Sequence, residues 1–152
     1  MKGPNGEDLP GAVLFCCNHN AVRSPMAEAM MKHLYGRQVF VDSVGLRAGE
    51  VDPFVAEVLG EQGLDLSRHR PKSWEELDES MFDLVISLTP EAHHRAMEMT
   101  RDNALEVEYW PTPDPTLVTG SRSQRLDAYR ATRDGLAARI KARFAGRPAP
   151  EA

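Results

Sequence analysis

Short apolar runs alternate with stretches of helical period along nearly the whole chain, and few folds accommodate that alternation. Ala12 to Cys16, Val39 to Val44, Phe82 to Leu88 and Leu105 to Trp110 read as strands. The first is apolar throughout, the mark of a strand buried on both faces. Strands interleaved with helices build a parallel sheet covered by helices on both sides. In such sheets ligands sit beyond the carboxyl ends of strands. Chemistry is therefore expected where the first strand ends, at Cys16-Cys17.

The helices carry local start and stop signals. From Ser24 onward Met26, Met30 and Leu34 recur every four positions, with Pro25 in the first turn where its missing N–H costs nothing. Asp52-Pro53 opens a second helix through Phe54, Val58 and Leu59, which Gly60 and Gly63 help to end. Ser73 and Glu76 make a capping box before a short helix, and Thr89-Pro90-Glu91 starts another. Ser121 and Gln124 cap a long final helix whose Leu126, Tyr129, Leu136, Ile140 and Phe144 face inward. Pro111, Pro113 and Pro115 exclude both helix and inner strand from the segment before it.

A single domain from 12 to 145, between flexible tails at 1–11 and 146–152, accounts for the 152 residues. No apolar run reaches the length of a membrane span, and the N-terminus lacks the basic-then-apolar order of a signal peptide. The expectation is a cytoplasmic protein with no membrane partner. A formal net charge of -5 argues against nucleic-acid binding. That charge is uneven. Acids outnumber bases from Glu50 to Glu108, whereas Arg122 to Arg147 is mostly basic, which makes either a patch for acidic partners or a solvated helix face.

The only two cysteines are adjacent, so they cannot form a disulfide framework, and in a strand their side chains point to opposite faces. They have no Cys or His partners at metal-ligand spacing, and His93-His94 lie on different flanks of a helix, so neither metal nor cofactor is expected. Met26, Met30, Met31, Met97 and Met99 read as core filler. For the cysteines two readings stand, a reactive thiol or a pair of small buried hydrophobes.

The loop Cys17-Asn18-His19-Asn20-Ala21-Val22-Arg23-Ser24 favours the first. Five residues between Cys and Arg allow the chain to curl until successive backbone N–H groups point into one hollow. The helix that follows adds its own N-terminal amides and positive dipole end. Such a hollow suits a tetrahedral dianion. Arg23 can hold two of its oxygens with a planar fork, and the same positive field favours Cys17 as thiolate. Ser24 can donate a hydrogen bond to that thiolate. Asp114 follows the last strand, so its proline-stiffened loop shares an edge with the Cys17 loop. One carboxylic acid can protonate a leaving oxygen and then activate water.

Val13-Leu14-Phe15, this loop and Ser24-Pro-Met-Ala-Glu-Ala29 together resemble the low-molecular-weight protein tyrosine phosphatases and the arsenate reductases that share their fold. The resemblance extends from about Ala12 to Phe144. It implies a three-layer sandwich, a four-stranded parallel sheet flanked by helices, with the phosphate-binding loop after strand one. It also implies that Cys17 is the nucleophile, Arg23 the phosphate-binding arginine, Ser24 the thiolate-stabilising serine and Asp114 the general acid. Asn18, His19, Asn20, Ala21 and Val22 would line the anion. Asn20 would take a left-handed turn braced by Ser43 and His69. Phosphate, sulfate or arsenate would occupy the loop, with a phosphorylated protein or a small phosphoester as substrate.

The chain departs from the family pattern in places. His19 stands where glycine is usual, a position whose φ is expected to be positive, and Val22 stands where a second cysteine is usual. Thr116 and Leu117 replace the aromatics that flank phosphotyrosine in the eukaryotic phosphatases, leaving Trp74 or Tyr109 as candidate walls. Cysteines for the thioredoxin-coupled reductase relay are absent from Ile86 to Pro90 and beyond. The expected activity is thus a phosphatase working through phosphocysteine. The alternatives are an arsenate reductase that uses an external thiol such as glutathione, and a non-catalytic oxyanion- or phosphoprotein-binding module.

Overall fold

β1 (Ala12–Cys17) is buried along its whole length because it runs down the middle of a four-stranded sheet of order β2-β1-β3-β4. The structure is a computed structural model and describes residues 9–145. β2 (Phe40–Gly45), β3 (Leu84–Ser87) and β4 (Glu106–Tyr109) complete the sheet, and all pairs are parallel. Phe15 lies opposite Ser43 on one side and Ile86 on the other. The chain leaves β1 toward β2 and returns across it to β3, so the carboxyl end of β1 is the switch point where a crevice opens.

Alternation along β1 divides the core in two. Val13, Phe15 and Cys17 pack with α1 (Arg23–Tyr35), α2 (Pro53–Gly60) and α4 (Arg122–Phe144). Ala12, Leu14 and Cys16 face α3 (Pro90–Met99) and Trp74. Each fully buried Phe or Leu here contributes about 1.5–3 kcal/mol. The helix starts follow their caps. Asp52 accepts from the amide of Phe54, Thr89 from that of Ala92, and Ser121 and Gln124 close a capping box.

The basic face of α4 is largely paired within the fold. Arg130 and Arg133 both reach Glu61 at the end of α2, Arg122 reaches Glu57, and Arg143 reaches Glu108. Hydrogen bonds from Arg130 and Arg133 hold the Glu61 carboxyl down to about 2. These ion pairs clamp α2 to α4.

Several sequence expectations need adjustment. Leu34 is exposed while Met31 is buried, because a four-residue step overshoots one turn by about 40° and the row drifts off the packed face. Met97 is exposed too, since Ala92, Ala96 and Met99 form the buried stripe of α3. Ser73 and Glu76 cap only a single 3-10 turn, Trp74–Glu76. Leu9, inside the expected N-terminal tail, is buried against the core. Gly11, also in that expected tail, donates its amide to Asp83, while residues 1–8 and 146–152 lie outside the described residues. No helix among the described residues is long and apolar enough to cross a membrane.

Candidate active site

The loop after β1 is shaped from behind by the segment that follows β2. The carbonyls of Cys17, Asn18 and His19 accept from the amides of Leu46, Arg47 and Gly49 at 3.1, 3.0 and 2.7 Å. The carbonyl of Ala21 accepts from Asp52 at 3.4 Å. Peptide planarity sets each carbonyl opposite the next residue's N–H, so the amides of Asn18, His19, Asn20 and Val22 turn the other way. No protein acceptor for them occurs among the described residues. Amides so disposed have the form of a backbone nest, a concavity that can receive an anion. Gly45 permits the close approach, because a Cβ there would stand 2.6 Å from the Asn20 nitrogen.

Asn20 is the only described non-glycine residue with positive φ, at 53°. His19 therefore does not take the positive φ expected of a glycine position, and its side chain is exposed at the rim. Asparagine tolerates the left-handed region because its short side chain bonds locally. Here Nδ2 donates to Ser24 at 2.9 Å and to Ser43 at 2.8 Å, and Oδ1 accepts from the amide of Lys72 at 3.1 Å. His69 Nε2 lies 3.3 Å from the Asn20 carbonyl. Ser43 in turn donates to Glu28 Oε1, which also lies 3.8 Å from His69 Nδ1.

This chain of donors orients Ser24. Its oxygen accepts from Asn20, which leaves its proton for Cys17 Sγ at 2.9 Å. Glu28 escaped the sequence reading. The available signal was an acid on the inward side of α1, four residues after Ser24. Thr89 was read only as a helix start, without its tie to the loop. While capping α3, Thr89 donates to Asn18 Oδ1 at 2.7 Å and ties the loop to the neighbouring helix.

Arg23 and Asp114 meet across the cleft. Arg23 Nη1 donates to the Thr112 carbonyl at 2.9 Å, and Nη2 lies 3.9 Å from Asp114 Oδ2. A guanidinium has five N–H donors, so the remaining ones are available to an anion. Asp114 Oδ1 accepts from both the amide and the hydroxyl of Thr116. Oδ2, the oxygen that Thr116 does not hold, is the one that faces Arg23. Cys17, His19, Ala21, Val22, Arg23, Asp114 and Thr116 share a cleft of about 270 Å³.

Neither candidate aromatic wall is present. Trp74 is buried on the opposite face of the sheet, and Tyr109 stacks on His93 at 4.9 Å. Cys16 is fully buried on that opposite face as well, its Sγ near the Ile86 carbonyl. Burial, with Cys17 adding to it, pushes the Cys16 thiol well above its ordinary value. Only Cys17 opens to the cleft.

A parallel α/β domain with a cysteine-headed amide nest at its switch point defines a class of proteins built to hold tetrahedral oxyanions. The chain belongs to the low molecular weight phosphotyrosine protein phosphatase family, whose model matches residues 12–145. It is 30% identical over 129 residues to an arsenate reductase of Halalkalibacterium halodurans, covering 85% of this chain and 91% of that one. A low molecular weight protein tyrosine phosphatase from T. tengcongensis superposes with a TM-score of 0.71 at 28% identity, covering 86% and 94% of the two chains. An arginine phosphatase mutant with a phosphorylated active-site serine superposes with a TM-score of 0.66 at 27% identity, over 84% and 89%. The family is one of enzymes, with phosphatases and arsenate reductases both among these relatives.

Proposed function

We propose that the protein is a cytoplasmic, cysteine-dependent phosphomonoester hydrolase of the protein tyrosine phosphatase type. The observation that carries the reading is the placement of Cys17 and Asp114 in one cleft, with Oδ2 the oxygen of Asp114 that Thr116 does not hold. Cys17 attacks phosphorus in line while the loop amides and Arg23 hold the three non-bridging oxygens. The P–O bond to the substrate breaks, and Asp114 gives its proton to the departing oxygen. Asp114, now a carboxylate, takes a proton from water. That water cleaves the S–P bond, releasing phosphate and restoring the thiolate. Ser24 hydrogen-bonds Cys17 when the thiolate leaves.

The arsenate reductases among the relatives favour a second reading. Cys16 is buried across the sheet and no other cysteine exists, so electrons for arsenate would come from an external thiol such as glutathione. Hydrolysis of p-nitrophenyl phosphate, compared with reduction of arsenate in the presence of glutathione, separates the two. The phosphatase reading expects metal-independent hydrolysis that disappears in Cys17→Ser. Turnover of arsenate alone, requiring stoichiometric thiol, would replace it with the reductase. Phosphate affinity without either activity would leave a binding module.

A further inference from the structure

Asp114 opens a single 3-10 turn, Pro115–Leu117, and caps it by accepting from the Thr116 amide through Oδ1 at 2.9 Å. Backbone bonds close that turn, with Leu117 donating to the Asp114 carbonyl and Val118 to that of Pro115, both at 3.3 Å. The Thr116 hydroxyl adds a bond that this ladder does not use. It donates to the same Oδ1 at 2.7 Å. Tyr129, near enough to feel the Asp114 charge, donates its hydroxyl to Asp52 instead. Oδ2 of Asp114 lies on the other side of the carboxyl, 3.9 Å from Arg23 Nη2.

A carboxyl plane turns easily. Its terminal torsion is broad and roughly two-fold, so the amide bond alone leaves the plane free to swing. Pro113 and Pro115 stiffen the backbone on either side of Asp114 but not its side chain. A carboxylate oxygen has two lone-pair sites, and the amide and hydroxyl of Thr116 together engage both on Oδ1. The second donor fixes the plane that one donor leaves loose. It does so inside the cleft that Cys17, Arg23, Asp114 and Thr116 line together.

We infer that Thr116 is a positioning residue for proton transfer, its hydroxyl holding the Asp114 carboxyl with Oδ2 toward the departing oxygen of the substrate. The effect on rate rests on the phosphatase reading; the effect on the carboxyl does not. Displacing a reacting group by about 1 Å costs up to about a hundredfold in rate. The loss falls on kcat rather than KM, because the loop amides and Arg23 hold the phosphoryl group and Asp114 does not. It falls hardest where the leaving oxygen most needs a proton.

The test compares Thr116→Val, which removes the hydroxyl and keeps the branched shape, with Thr116→Ser, which keeps the hydroxyl. Thr116 is exposed, so neither change opens the core. In Thr116→Val, kcat for an alkyl phosphate should fall about ten- to a hundredfold, and kcat for p-nitrophenyl phosphate much less. Thr116→Ser should recover most of the loss. Adding Thr116→Val to Asp114→Asn should lower the rate no further, since the hydroxyl acts only through that carboxyl. Crystal structures of the three proteins read the carboxyl without turnover: it should keep one orientation in the unsubstituted protein and Thr116→Ser, and swing in Thr116→Val. An equal loss for both esters, no recovery in Thr116→Ser, a further loss on top of Asp114→Asn, or an unmoved carboxyl in Thr116→Val overturns the assignment. If the unsubstituted protein hydrolyses neither ester while the carboxyl swings as expected, the phosphatase reading is refuted and the hold of Thr116 on Asp114 is not.

Discussion

Replacing Asn20 should cost both stability and turnover, because one side chain holds the loop's reversed φ and orients the serine beside the nucleophile. In Asn20→Ala the backbone at φ 53° loses the residue type that tolerates it, at about 1–2 kcal/mol. The side chain also makes three hydrogen bonds, to Ser24, to Ser43 and from the Lys72 amide. The serine hydroxyls can rotate toward each other or toward Glu28, but the Lys72 amide has no such freedom. Counting one or two groups left unsatisfied at about 1–3 kcal/mol each, the total loss is about 2–8 kcal/mol. That is a large part of the about 5–15 kcal/mol available to a domain. Asn20→Gly loses the same bonds without the φ penalty, so it should be about 1 kcal/mol more stable than Asn20→Ala. Urea unfolding at constant m-value reads the difference, and p-nitrophenyl phosphate hydrolysis reads the loss of Ser24 orientation. Equal midpoints for Asn20→Ala and Asn20→Gly, or a loss under about 1 kcal/mol for both, would falsify this account of the loop.

Arg23→Lys should lower turnover nearly as far as Arg23→Ala, because a point charge cannot both hold the Thr112 carbonyl and span two oxygens; most activity surviving in Arg23→Lys would contradict the geometry. Asp114→Asn should slow hydrolysis of alkyl phosphates by about two to four orders of magnitude and of p-nitrophenyl phosphate by less. A loss uniform across leaving groups would mean that Asp114 only shapes its loop. Glu61 has a depressed carboxyl, so its contribution is present above its ordinary 4.5 and is lost as pH falls toward about 2; Glu61→Gln should flatten the acid-unfolding slope in that window, and an unchanged slope would remove the clamp between α2 and α4. Alkylation of the folded protein should label Cys17, which lines the cleft, and spare Cys16, which is buried across the sheet with its thiol pushed up, as mass spectrometry of the digested protein would show; labelling of Cys16 at a comparable rate would contradict its placement.

Features set by neighbours in the chain were legible in advance. The cysteine-to-arginine spacing, the proline at the start of α1 and the caps Asp52, Thr89 and Ser121 depend on residues a few positions apart, and local geometry interprets them without a fold. The opposite orientation of Cys16 and Cys17 follows from the two-residue period of a strand. Burial was less legible. A four-residue row predicts an inward Leu34, but the helix turns every 3.6 residues and α1 packs on β1, β2 and α4 through Met31 instead. Trp74 and Tyr109 were plausible walls until the order of the strands placed one across the sheet and the other against His93.

By itself, then, the sequence determined that this chain alternates strand and helix and carries an oxyanion loop headed by Cys17, because those properties are written in short-range periodicity and spacing. Tertiary structure alone decided what surrounds that loop. Glu28 reaches Ser43 from a helix, Arg23 reaches Thr112 across 89 positions, and Glu50 arrives at the mouth of the cleft from the segment behind it. No local rule pairs residues so far apart in the chain. They meet because β2 and β3 flank β1 in the sheet, and that packing carries the ends of three connections to the same edge.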